Sequence, residues 1–240
     1  MAISLLLTRQ SEDSVRFLEL LPDLGLRAVI SPLIETCVRP GVVRMQGVGG
    51  VIFTSAAGVR AAADLNVMPD LPCYCVGART AQVARDAGWQ AVQAGQNADT
   101  LVAGLLAQRP DGPLLHLRGA HARGDVAARL TAQGMRTREQ VIYDQLLQPL
   151  TPDAQAVLAD EKPVIVTLFS PRAARQFAET APVRTGLYLC VMSDAVAEQV
   201  KHLKTEQVFV AARPDSAAMA DCVGQAVRQA SRVEGAGRAQ

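Results

Sequence analysis

The stretch VIFTSAAGVRAAADL, Val51 to Leu65, recurs in looser form as VTLFSPRAARQFAET, Val166 to Thr180. Each passes from an apolar strand pattern into a serine, then a small residue or proline, then a run of helix formers. Serine is a favoured helix N-cap and proline fits the first helical position, so both copies read as a strand that turns directly into a helix. Ser55 and Ser170 stand about 115 positions apart, and a similar offset relates CVGARTAQVA (Cys75 to Ala84) to CVMSDAVAEQV (Cys190 to Val200). DLGLRAVISPLIE (Asp23 to Glu35) lines up in the same way with AQGMRTREQVIYD (Ala132 to Asp144). Two copies of one α/β unit follow.

Outside these segments, strand-like and helix-like runs alternate along almost the whole chain, the pattern of parallel sheets with crossover helices. The fold class expected is therefore α/β, with two similar lobes that are each a parallel sheet flanked by helices. Two stretches fit the alternation poorly, and the second carries Pro149 and Pro152. Residues 36–45 and 144–161 are expected as linkers, residues 1–35 with 162–231 as a discontinuous first lobe, and residues 46–143 as the second. A chain that crosses twice implies a cleft between lobes. Residues 232–240 read as a frayed tail.

Composition narrows the function classes. Lys and Arg number 24 against 23 Asp and Glu, which gives no field for a nucleic-acid or membrane partner. Cys37, Cys73, Cys75, Cys190 and Cys222 are odd in number without CxxC spacing, and His116, His121 and His202 fall in separate elements, so neither a disulfide framework nor a metal site is expected. Cys73 and Cys75 read as small buried hydrophobes. The opening MAISLLLTRQ has too short an apolar run for a signal peptide or a membrane span, so it reads as a first strand and the expected compartment is the cytoplasm. GVGG (Gly47 to Gly50) precedes a strand instead of following one, and neither a GxxxxGK[ST] loop nor a GxSxG elbow occurs; no cofactor is expected.

In a parallel sheet every loop that leaves a strand's carboxyl end reaches the same edge, where the next helix starts with free backbone N–H groups. The loops at Thr8–Ser11, Thr54–Ala56, Gly77–Thr80, Arg118–Ala120, Ser170–Arg172 and Ser193–Asp194 are rich in hydroxyls, small residues and arginines. Such loops suit an anionic ligand, although each serine or threonine taken singly also fits a plain helix cap. Tyr143 ends a strand at a lobe boundary and carries a transferable proton; a core tyrosine with a satisfied hydroxyl is the alternative.

The order LLLTR, SPLIE, GGVIFTSAAGV, CVGARTA, GQNADTL, LLHLRG, QGM followed by VIYD, and VTLFSPRAA resembles the uroporphyrinogen-III synthase family over nearly the whole chain. The resemblance implies a cytoplasmic, monomeric lyase with two flavodoxin-like lobes and neither cofactor nor metal. It closes the linear tetrapyrrole hydroxymethylbilane into uroporphyrinogen III with inversion of ring D and loss of water, in the tetrapyrrole and heme pathway. It also implies a transient contact with the preceding enzyme, and a ligand gripped by two Ser-bearing turns that face each other. Tyr143 matches the family's tyrosine near the linker, as possible general acid, and Thr80 a threonine of the VGxxTA turn. Arg9, Ser55, Ala56, Arg118, Gly119, Ser170, Pro171 and Ser193 are the expected contacts to the polyanionic substrate. The chain departs from the family pattern at Met192 to Ala195, where Asp194 adds a negative charge. Two other classes compete: a non-catalytic two-lobed protein that binds an anionic metabolite, and a flavodoxin-like pair that binds flavin, which one Trp, three Tyr and five Phe serve poorly.

Overall fold

The computed structural model describes residues 3–68, 70–122, 124–182 and 186–237. Among them the chain runs β1 (Ser4–Leu7), α1 (Ser11–Leu18), β2 (Arg27–Ile30), β3 (Ile34–Val38), β4 (Gly50–Phe53), α2 (Ala56–Asp64), β5 (Pro72–Val76), α3 (Gly77–Asp86), β6 (Gln90–Gly95) and α4 (Ala98–Gln108). It continues with β7 (Leu114–Gly119), α5 (Val126–Ala132), β8 (Thr137–Leu147), α6 (Pro152–Ala159), β9 (Val164–Leu168), α7 (Pro171–Thr180), β10 (Leu187–Val191), α8 (Asp194–Ala197), β11 (Gln207–Val210) and α9 (Ser216–Gly237). Two compact units result, one of residues 1–35 with 147–240 and one of residues 36–146.

The first unit holds a five-stranded sheet in the order β11-β10-β9-β1-β2, with parallel pairing throughout. Numbered within the unit this is 2-1-3-4-5, the flavodoxin-like order. The second unit holds six strands in the order β3-β8-β7-β4-β5-β6. Its run β8-β7-β4-β5-β6 follows the path of β2-β1-β9-β10-β11, with the chain entering at β4 instead of at β1. The two units are thus circular permutations of one topology, and the repeated stretch supplies the central strand of each.

Burial explains why those strands read as continuous apolar runs. VIVTL in β9 and LYLCV in β10 are buried at every position, because helices cover both faces of a parallel sheet. In the first unit Leu6, Val166 and Leu189 pack with α6 and α7, while Leu5, Leu7, Ile165 and Tyr188 pack with α1 and α9. In the second, Val51, Phe53, Cys73, Cys75 and Leu117 face α2 and α3, and Ile52, Tyr74 and Leu114 face α4 and α5. Edge strands β2 and β11 stay partly exposed. Cys73 and Cys75 are fully buried with their sulfurs 3.5 Å apart.

Three local readings differ from the structure. Residues 144–161 hold the boundary between the units, at 146/147, but are not a bare connector: β8 extends through Leu147, and Thr151 caps α6, whose Ala154, Val157 and Leu158 enter the core of the first unit. Proline misled that reading, since Pro152 sits in the first turn of α6, where its missing N–H costs nothing. Residues 36–45 likewise begin inside β3. The tail at 232–237 continues α9, and residues 238–240 lie outside the described residues.

A helix that belongs to the core makes a measurable difference. Leu158→Ala should lower the unfolding free energy by about 2–5 kcal/mol in urea denaturation. A loss within about 0.5 kcal/mol, the usual size for an exposed connector, would contradict the packing.

Candidate functional site

The ligand edge of a doubly wound sheet lies where neighbouring strands send their crossovers to opposite faces. In the second unit that point falls between β7 and β4; in the first, between β1 and β9.

At the rim of the second unit β4 ends at Phe53, and Ser55 takes an extended backbone and accepts a hydrogen bond from the Ala57 N–H at 3.1 Å, starting α2. Opposite, β7 and β8 pair in parallel until a register shift sets Arg118 against Val141 but Gly119 against Tyr143. A bulge of this kind re-aims a side chain, and here it brings the Tyr143 ring onto the backbone of Gly119. A Cβ on Gly119 would stand 2.5 Å from the ring's Cε2 and 3.0 Å from its hydroxyl oxygen, and a Cβ on Gly58 3.7 Å from Cε1. Gly119 therefore makes the slot that the phenol fills, and Gly58 lies in ordinary contact with its other edge. Tyr143 is 6% exposed. Burial pushes its pKa up, while hydrogen bonds from the Ser55 side chain and the Gly119 backbone pull it down.

A polar column lies on the α4 and α5 face of the same sheet, the face opposite the phenol. His116 of β7 is buried, its Nε2 lies 3.2 Å from Thr54 Oγ1, and its Nδ1 has no hydrogen-bond partner among the described residues. Burial drives its pKa down to about 4, against the pull of Glu139 upward and with a push from Arg118. Arg118 donates to Glu139 at 2.6 Å and to the Gly119 and Ala120 carbonyls at 3.0 and 3.4 Å. That carboxylate is held below its ordinary range by the Arg118 bond.

In the first unit Ser170 repeats the role of Ser55: it takes the same extended backbone, accepts from the Ala173 N–H at 3.2 Å and starts α7, with Pro171 at the first helical position. Arg9 follows β1, lies over the Phe169 ring at 4.5 Å and donates to Asp13 at 2.9 Å. Ser193 precedes the four-residue α8 without a side-chain cap bond.

The structure thus groups Tyr143, Ser55, Ala56, Arg118 and Gly119 at one rim, and Arg9, Ser170, Pro171 and Ser193 among the carboxyl-end loops of the other unit's sheet. Two expectations change. Thr80 is not in a loop but buried in the first turns of α3, which starts directly at Gly77 where φ is +75°. Arg9 and Arg118 carry partner carboxylates, so neither offers an uncompensated charge. Sequence reading missed His116 as a member of the site; its one signal was a position two residues before Arg118 on the same strand face. Two recesses of about 290 and 300 Å³ lie at the opposite edge, the first by Arg109, Met135 and Arg136, the second by Leu21, Pro22 and Leu24. The first collects the carboxyl ends of α4 and α5, whose carbonyls disfavour an anion. Among the described residues no group of His, Cys, Asp and Glu could hold a metal ion, and no helix is long and apolar enough to cross a membrane.

His116 gives a pH signature. Its folded pKa of about 4 lies below its ordinary 6.5, so unfolding takes up a proton between those values and stability falls as the pH drops through that window. The expected loss approaches about 3 kcal/mol at the low end. Urea midpoints measured from pH 7 to pH 4 should fall less steeply for His116→Asn than for the native chain; equal slopes would contradict a buried neutral imidazole.

The model of the family described as uroporphyrinogen-III synthase HemD matches residues 15–221. Among solved structures, uroporphyrinogen-III synthetase from Helicobacter pylori 26695 superposes with a TM-score of 0.68 at 17% identity, over 95% of this chain and 100% of that one. A mutant uroporphyrinogen III synthase from the extremely thermophilic bacterium Thermus thermophilus gives a TM-score of 0.52 at 16% identity, over 95% and 100%. No curated protein sequence matches significantly. At these identities the superpositions speak for the fold, and the family model, which spans most of the chain, speaks for descent: this chain belongs to the uroporphyrinogen-III synthase family.

Proposed function

We propose that this chain converts hydroxymethylbilane to uroporphyrinogen III, with Tyr143 as the proton donor that starts the cyclisation. The observation that carries the reading is the phenol itself, which is buried at the rim of a flavodoxin-like sheet with its ring and oxygen against the backbone of Gly119. The substrate's terminal carbon holds a hydroxyl that must leave as water. Tyr143 O–H gives its proton to that oxygen, the C–O bond breaks, and an azafulvene cation remains. The substituted carbon of ring D attacks the cation to form a spiro centre, which fragments and recloses with ring D inverted; the last ring carbon then loses its proton.

The substrate's acetates and propionates make it a polyanion. Helix N-termini at Ser55 and Ser170 offer backbone N–H groups, each worth about 0.3–1 kcal/mol toward a nearby negative charge. Arg9 and Arg118 add donors whose direction is fixed by Asp13 and Glu139. Ala56 and Pro171, at first helical positions, keep those termini open. Ser193 starts a helix with Asp194 in its first turn, an arrangement less favourable to a carboxylate. No resident cofactor or metal enters this chemistry.

Holding a folded substrate accounts for much of the task. A hundredfold preference between two ring closures needs only about 2.7 kcal/mol, which positioning alone can supply. The test generates hydroxymethylbilane in situ, adds the purified protein, oxidises the product and separates the type I and type III porphyrins. Native protein should give mainly type III; no enrichment over the uncatalysed mixture would defeat the reading. Tyr143→Phe should slow turnover by about a hundredfold or more, the usual size for a lost general acid, and keep type III as product. A variant that produced mainly type I would show that the tyrosine steers the fold of the substrate instead.

A further inference from the structure

Ser55 satisfies two demands at once. Its Oγ accepts from the Ala57 N–H at 3.1 Å, which uses one lone pair and leaves its own O–H free to point elsewhere. The Tyr143 side chain is locked from the other side: the bulge in β8 sets it against Gly119, Ala120 N–H donates to the Tyr143 carbonyl at 3.0 Å, and a Cβ at Gly119 would overlap the ring at 2.5–2.6 Å. Gly58, on the first turn of α2 that Ser55 caps, lies in van der Waals range of the ring, so the serine and the glycine share one strand-to-helix turn against which the phenol of β8 packs.

We infer that Ser55 and Gly119 are positioning residues for Tyr143, with the Ser55 hydroxyl and the Gly119 N–H forming a two-donor cradle for the phenol oxygen and the bare Cα of Gly119 fixing the ring. The inference rests on the reading of Tyr143 as proton donor, and it moves Ser55 from substrate contact to support of the acid. When the phenol gives up its proton, negative charge appears on an oxygen buried away from water, where fixed donors act without reorganising. Both donors favour the phenolate against the opposing effect of burial. The phenolate so held can take a proton back at the end of the cycle, so the residue returns to its starting state with no other reactant consumed.

The test is a double-mutant cycle on the full chain with hydroxymethylbilane, read beside an ultraviolet titration of the phenol. Ser55→Ala should lower kcat about tenfold, the scale of one hydrogen bond to a charged group, and leave KM nearly unchanged; Ser55→Thr, which keeps both cap and hydroxyl, should restore most of the rate. In the Tyr143→Phe background Ser55→Ala should cost almost nothing further. The titration, taken as the difference between each protein and its Tyr143→Phe counterpart, should move to higher pH in Ser55→Ala. Gly119→Ala should lower kcat at least as far as Tyr143→Phe does. Equal losses from Ser55→Ala in both backgrounds, or an unmoved titration in a folded Ser55→Ala protein, would overturn the cradle while leaving Tyr143 as acid. A native rate in Tyr143→Phe would overturn the parent reading instead, and the titration would still report on the cradle.

Discussion

The parallel pairing of β9 with β1 and of β4 with β7 is the constraint on which both units depend. Each pairing joins strands distant in sequence, Val164 beside Ser4 and Gly50 beside Leu114. Parallel neighbours cannot be joined by a tight turn, so every connection must cross a face as a helix. Helices on both faces make the central strands fully apolar, and the carboxyl ends of the parallel strands in each sheet emerge at one edge. The position of the chemistry therefore follows from strand direction before any side chain is considered. Because the second unit is a circular permutation of the first, the same edge arises twice from one chain.

What distinguishes the rim of the second unit is where charge is permitted. Neutral His116 and the compensated Arg118–Glu139 pair leave little net charge on the α4 and α5 face of the sheet, across from the buried phenol. An unpaired carboxylate at that rim would repel an anionic substrate. The arginines keep their donors but lose much of their field, which suits directional recognition of carboxylates over simple attraction. The first unit repeats the serine cap and pairs Arg9 with Asp13, but its counterpart of β8, β2, stops at Ile30 with no tyrosine at its end.

The repeat at Ser55 and Ser170 was legible because strand, cap and helix are each local, and local signals survive in sequence. The two-unit plan and the rim loops followed from it. Other features were not legible, for physical reasons. α6 was hidden by Pro152, a residue that breaks helices in their interior yet begins them well. The register shift opposite Gly119 depends on pairing between β7 and β8 and leaves no mark on either strand alone. His116 reads as an ordinary strand residue until Thr54 and Glu139 are brought beside it from β4 and β8. Partner carboxylates were underestimated for the same reason in the case of Glu139, which lies 21 residues from Arg118.

The central claim is that a buried phenol delivers the proton that opens the reaction. The most direct measurement is the solvent deuterium isotope effect on a single turnover of hydroxymethylbilane, compared between the native chain and Tyr143→Phe. The account predicts a normal effect, slower in heavy water, that largely disappears when the phenol is removed. An effect of the same size in both proteins would mean that water or another group moves the proton, and that Tyr143 is only part of the wall.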